Sequence, residues 1–141
     1  MHITREADYA VRIVICLSAA GRRMDAGSIS EQTDVTLRFA LKILRKLVSQ
    51  GIVRSFKGTQ GGYELERPPE AITLREVVET VEGTYYLNRC LNPDNGCERA
   101  GTCKVQKVFC NISRMVREEL EKVTFDQLIP GRYDPQKGKQ T

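Results

Sequence analysis

The stretch from Ser28 to Glu66 restricts the fold of this chain more than any other feature. Ser28-Ile29-Ser30-Glu31 has the form of a capping box, a hydroxyl at the cap and a carboxylate three residues on, and predicts a short helix ending near Asp34. Thr36 then opens a second helix. In it Phe39, Ala40, Ile43, Leu44 and Leu47 recur as one apolar stripe, Arg38, Lys42, Arg45 and Lys46 stay outside the stripe, and Gly51 supplies the stop. Residues 52–56 and 63–66 read as short strands around Lys57-Gly58-Thr59-Gln60-Gly61-Gly62, a loop rich in residues that tolerate positive φ. Two short helices, the second basic on its outer face, followed by a hairpin with a basic, glycine-rich tip, form a helix-turn-helix with a wing.

The flanks extend this unit. Thr4 caps a first helix over about residues 5–20, with Ala7, Ala10, Val11, Val14 and Leu17 on an inward face and Gly21 as its stop. Pro68 and Pro69 close the winged unit, and Thr73-Leu74-Arg75-Glu76 is a second capping box for a helix bearing Leu74, Val77, Val78 and Val81 on one face. A long amphipathic helix is expected over about 104–123, with Val105, Phe109, Ile112, Val116, Leu120 and Val123 as a narrow seam that calls for a partner: the same helix of a second copy, the reading preferred because helix-turn-helix proteins commonly bind paired half-sites as dimers, or else its own domain. The fold class is therefore mainly α with a small β-hairpin, a winged helix-turn-helix plus a long C-terminal dimerisation helix. The expected parts are a DNA-binding domain with its linking helix at 1–83, a cysteine-rich loop at 84–103, a dimerisation helix region at 104–129 and a flexible basic tail at 130–141.

Four of the five cysteines fall in one short stretch. Cys90, Cys97, Cys103 and Cys110 are separated by six, five and six residues, and Pro93, Asn95-Gly96 and Gly101 make the segment turn-rich as far as Cys103. The N-terminus lacks the pattern of a signal peptide and no apolar run approaches the roughly 20 residues of a membrane span, so a cytoplasmic location without membrane contact is expected. In a reducing compartment such a cluster points to a metal or iron-sulfur site, or to a thiol switch, before a disulfide framework. Paired cysteines two to four residues apart, usual for zinc, are absent from the loop. Cys16 lies on the apolar face of the first helix and reads as core. Cys110, two helical turns beyond Cys103, has three readings: a further ligand, a small core residue beside Phe109, or a thiol that forms a disulfide on oxidation.

The arrangement resembles the Rrf2 family of bacterial winged-helix regulators, including its IscR-like and NsrR-like iron-sulfur sensors, over nearly the whole chain. The resemblance is carried by Ile3-Thr-Arg-Glu-Ala-Asp-Tyr-Ala-Val-Arg12, by the wing from Val53 to Leu65, by Ile72 to Gly83, and by three cysteines after the wing. It implies a homodimer on double-stranded promoter DNA, with a [2Fe-2S] or [4Fe-4S] cluster held by Cys90, Cys97 and Cys103. IscR-like members add a histidine three residues after the third cysteine, where this chain has Gln106; its only histidine is His2. NsrR-like members use an aspartate of the other subunit's first helix, and Asp8 stands at the matching place.

Charge and geometry supply the DNA-contact candidates. Between Arg38 and Arg67 seven basic residues face only Glu64 and Glu66, a local excess suited to a phosphate backbone. In the winged-helix mode the helix after Thr36 enters the major groove, so Thr36, Arg38 and Phe39 are placed for base edges or thymine methyls and Lys42 and Lys46 for phosphates. On the wing, Arg54 and Lys57 supply charge, Gln60 can reach base edges, and Gly61 and Gly62 allow close backbone approach. Tyr63 reads equally as a contact or as a strand residue facing the core. IscR-like members carry a glutamate in the recognition helix where this chain has Leu41. No dinucleotide fingerprint, Cys-x-x-Cys pair or Cys-His constellation supports an enzyme.

Overall fold

The computed structural model describes residues 2–88, 91–92 and 102–131. Helix α1 (Arg5–Ala20) starts where Thr4 accepts a hydrogen bond from the Ala7 N–H and stops at Gly21, whose φ of 61° is left-handed. Ala7, Ala10, Ile13, Val14 and Leu17 on one side of it are buried, and they meet α2 (Ala26–Thr33) and α3 (Leu37–Ser49). The core that results contains Ile29, Val35, Ala40, Ile43, Leu44, Leu47, Ile52, Val53, Ile72, Val77 and Phe125. Each large apolar side chain so removed from water contributes about 1.5–3 kcal/mol, enough to hold three short helices that would be marginal alone.

The second helix begins earlier than its capping box predicts. Asp25 is the cap: its carboxylate accepts from the Ser28 N–H at 3.0 Å and from the Ser28 hydroxyl at 2.6 Å, and these two bonds hold the Asp25 carboxyl below its ordinary value. The reason lies one residue upstream. Met24 is locked in an antiparallel bridge to Tyr63, and the chain turns into the helix as soon as that bridge ends. Asp34, with φ 56°, closes α2 and leaves a tight connection to Thr36, which caps α3 by accepting from the Phe39 N–H.

Strands β1 (Val53–Phe56) and β2 (Gly62–Leu65) pair antiparallel with Val53 opposite Leu65 and Phe56 opposite Gly62. Arg67 then gathers three elements: it donates to the carbonyls of Gly51 and Ala71 and pairs with Glu76. A 3-10 turn (Pro69–Ala71) leads into α4 (Leu74–Glu82), capped by Thr73, whose hydroxyl accepts from the Glu76 N–H. Because the Glu76 carboxylate is taken by Arg67, the reciprocal half of the predicted box is not made.

Helix α5 (Lys104–Lys122) is apolar on two adjoining faces, not along one seam. Phe109, Val116, Leu120 and Val123 are half-buried, in step with packing on α4, while Val105 and Ile112 join Val108 and Met115 on an exposed strip. Between 105 and 115 that strip recurs every three and four residues. The chain then returns to the core: Leu74 N–H donates to the Val123 carbonyl at 2.8 Å, Thr73 and Thr124 form a bridge, and Phe125 N–H donates to the Ile72 carbonyl at 3.1 Å. Phe125 opens a 3-10 turn (Phe125–Leu128) and is the largest fully buried side chain. The expected basic tail lies outside the described residues from 132 onward.

Candidate nucleic-acid interface and cysteine region

Helix α3 turns one face inward and leaves the opposite face open from its first turn. Thr36, Arg38, Lys42 and Arg45 are exposed, and so are the apolar Leu37, Phe39 and Leu41. Phe39 departs from the predicted inward stripe: it is 46 % exposed, with its ring edge-on to Tyr9 at a centroid distance of 6.2 Å. It sits at the rim of the core because Ala40 and Ile43 already fill the space below. Leu37 and Leu41, four residues apart on the outer face, were not singled out by periodicity, since apolar residues off a stripe carry no pattern of their own. Exposed among cations, they have the chemistry to meet thymine methyl groups.

The two lysines expected at phosphates are occupied within the chain. Glu6 of α1 lies 2.8 Å from the Lys46 ammonium and 3.5 Å from that of Lys42. The hydrogen bond from Lys46, aided by the charge of both lysines, holds the Glu6 carboxyl below its usual range despite some desolvation. Arg38 and Arg45 make no ion pair among the described residues.

The wing presents Arg54, Lys57 and Gln60 to solvent. Arg54 stands 3.8 Å from Glu66 and its guanidinium carbon is 5.2 Å from the Phe56 ring centre. Gly61 and Gly62 are needed by the wing itself. A Cβ on Gly61 would lie 2.6 Å from the Phe56 carbonyl oxygen, and one on Gly62 2.5 Å from that of Met24. Tyr63 exchanges both backbone hydrogen bonds with Met24, at 2.8 and 2.7 Å, and packs against the core, which favours the strand reading over a DNA contact. Arg23, which the sequence did not single out, stacks on Phe56 at 3.3 Å and donates to the Gln60 carbonyl at 3.1 Å.

Of the expected cluster ligands, Cys90 and Cys97 lie outside the described residues. Cys103 is the half-buried cap of α5, at the positive end of the helix. Cys110 is exposed, which removes the reading of it as a core residue. Cys16 is half-buried with its sulfur 3.8 Å from that of Met24, and burial pushes its thiol up, as a structural cysteine requires. Asp8 is half-exposed and pairs with Arg12 one turn on, at 2.8 Å.

A helix-turn-helix carrying a fastened two-stranded wing, with cations and apolar groups exposed along its second helix, defines a winged-helix DNA-binding protein. The chain belongs to the Rrf2 family, described as iron-dependent transcriptional regulators, whose model matches residues 3–131. It is accordingly a DNA-binding transcriptional regulator and not an enzyme. It is similar to the transcriptional regulator NsrR of Bacillus subtilis, with 26 % identity covering 95 % of this chain and 94 % of the relative. Its fold matches that of CymR, the global cysteine regulator of B. subtilis, at a TM-score of 0.73 and 24 % identity over 91 % of this chain and 95 % of the other. It also matches T. potens IscR at 0.72 and 19 % identity, over 91 % and 85 %. No described helix is long and apolar enough to cross a membrane.

Proposed function

We propose that the protein is a cytoplasmic homodimer whose operator affinity is set by an iron-sulfur cluster held by Cys90, Cys97 and Cys103, with Asp8 of a second copy as the remaining ligand. Helix α5 carries the reading. Its first residue follows Cys103, and its strip of Val105, Val108, Ile112 and Met115 has no partner among the described residues, although such a strip is what one helix of a paired interface presents. The described donors fit the group: Cys103 is half-buried at a positive helix end, and among the described residues Asp8 pairs with one half-exposed arginine of its own helix. When bound, the cluster supplies an iron centre that reacts with oxidants or nitric oxide.

Asp8 and Glu6 both belong to α1, and Glu6 pairs with Lys42 and Lys46 on the recognition helix, so a shift of α1 as a whole would reach those two cations. A second reading is favoured by one observation, the exposure of Cys110: a cluster-free regulator that uses its thiols as an oxidation switch.

Anaerobic purification distinguishes the two. The cluster reading expects a coloured protein containing iron and acid-labile sulfide, with Asp8→Ala shortening the lifetime of the visible absorption and Cys110→Ala leaving it unchanged. A colourless protein without iron or sulfide overturns it in favour of the thiol switch. A coloured protein whose absorption survives Asp8→Ala but not Cys110→Ala overturns the ligand set.

A further inference from the structure

The wing is fastened to the rest of the molecule in two places of different kind. At its base, Met24 adds two backbone hydrogen bonds to Tyr63, so the segment between α1 and α2 runs beside β2 like the beginning of a third strand. Gly62 permits that approach, since a methyl group there would strike the Met24 carbonyl. Beyond Phe56 and Gly62 the two-stranded ladder ends, and a ribbon of four residue pairs has little rigidity by itself. The tip is closed by a turn in which Gly61 N–H donates to the Gly58 carbonyl at 3.0 Å. Among the described residues, one side chain from outside the hairpin hydrogen-bonds to that tip, and it is Arg23.

We propose that Arg23 is the positioning residue of the wing: it fixes the tip, and with it Gln60 and Lys57, in the orientation that meets DNA. Its guanidinium carbon lies over the Phe56 ring, 3.3 Å from the ring centre, while one terminal N–H reaches the Gln60 carbonyl at 3.1 Å. The two contacts act on the two sides of the hairpin, the ring on the last residue of β1 and the carbonyl on the tip just before β2. Holding the Gln60 carbonyl fixes the peptide from which the Gln60 side chain leaves, and so the direction in which that amide points. A planar fork is required. Lysine carries the same charge but can neither stack flat on an aromatic ring nor donate sideways at the same time.

The inference rests on the DNA-binding reading but not on the cluster, and both can be tested separately. A duplex is first selected by the wild-type protein, under anaerobic conditions, from a random-sequence pool, and is then the probe for anisotropy titrations and hydroxyl-radical footprinting. Arg23→Lys, which preserves charge, is expected to weaken binding about tenfold, as much as Arg23→Ala, because wing contacts are lost together. Backbone protection should vanish at the wing-contacted positions beside each half-site while persisting along the backbone that borders the two major grooves entered by α3, with the melting temperature unchanged. Wild-type affinity in Arg23→Lys alongside a loss in Arg23→Ala would mean an ordinary phosphate contact and overturns the proposal. Uniform weakening of the whole footprint, or wild-type affinity in both variants, overturns it as well. Failure of the wild-type protein to enrich any duplex would overturn the DNA-binding reading itself.

Discussion

Glu6 shows how a single carboxylate restrains a cationic surface. It neutralises part of Lys42 and Lys46, the residues the sequence reading assigns to phosphates, and the largely exposed setting limits the gain in stability to at most about 1 kcal/mol. Glu6→Gln should therefore cost little folding stability while tightening binding to duplex DNA by roughly threefold to tenfold, with a steeper salt dependence in anisotropy titrations. Because its folded carboxyl lies below the ordinary 4.5, its contribution is complete above that pH and is lost as the pH falls through the depressed folded value. The cysteines divide equally plainly. Cys110 is open to solvent and Cys16 is half-buried with its thiol pushed up, so mass-spectrometric alkylation under native conditions should label Cys110 at least about tenfold faster. Comparable rates would show that α1 does not pack as described. Sequence patterns mark Lys42 and Lys46 as candidates but not their restraint, because Glu6 is forty residues from Lys46 and meets the pair only once α1 packs on α3.

At the scale of elements, α5 carries the sharpest expectation. Val108→Glu together with Ile112→Glu places two charges on the exposed strip and none in the core, so sedimentation should show a dimer converted to monomer with the circular dichroism of the domain retained. A dimer that persists would move the interface elsewhere. Much at this scale was legible beforehand: Thr4, Thr36 and Thr73 cap the helices they were expected to cap, and both strands fall within a residue of their expected places. What escaped notice was decided by contacts remote in sequence. Asp25 displaced Ser28 as a cap because Met24 is held by Tyr63, and the apolar residues of α5 divide into two faces because α4 claims only one of them. A periodicity reports that a face is apolar but not what covers it.

For the molecule as a whole, Phe125 is the keystone that composition gave no reason to expect. It is fully buried in the core beside Ile72 and α1, just past the end of a helix that carries an exposed apolar strip. Phe125→Ala should cost about 3–5 kcal/mol in urea unfolding, a loss large enough to threaten folding, whereas an exposed apolar residue such as Met115 should tolerate alanine with little change. Equal effects of the two would mean that the end of α5 is not anchored. The wing, α4 and the long last helix were read in the right order, yet the junction between Thr73 and Thr124 was not, since two threonines fifty-one residues apart announce nothing. That junction has a consequence of its own. Between Thr73 and Thr124 the chain passes through α4, which packs on α1 and α3, and comes back to its point of departure, like a loop of thread drawn through a single eyelet. Lengthening the stretch beyond Gly83 would add only a slowly growing closure cost. That stretch can thus change in size and chemistry while its two ends stay pinned at one point of the core, and α4 is the element through which a change there would reach α1 and α3.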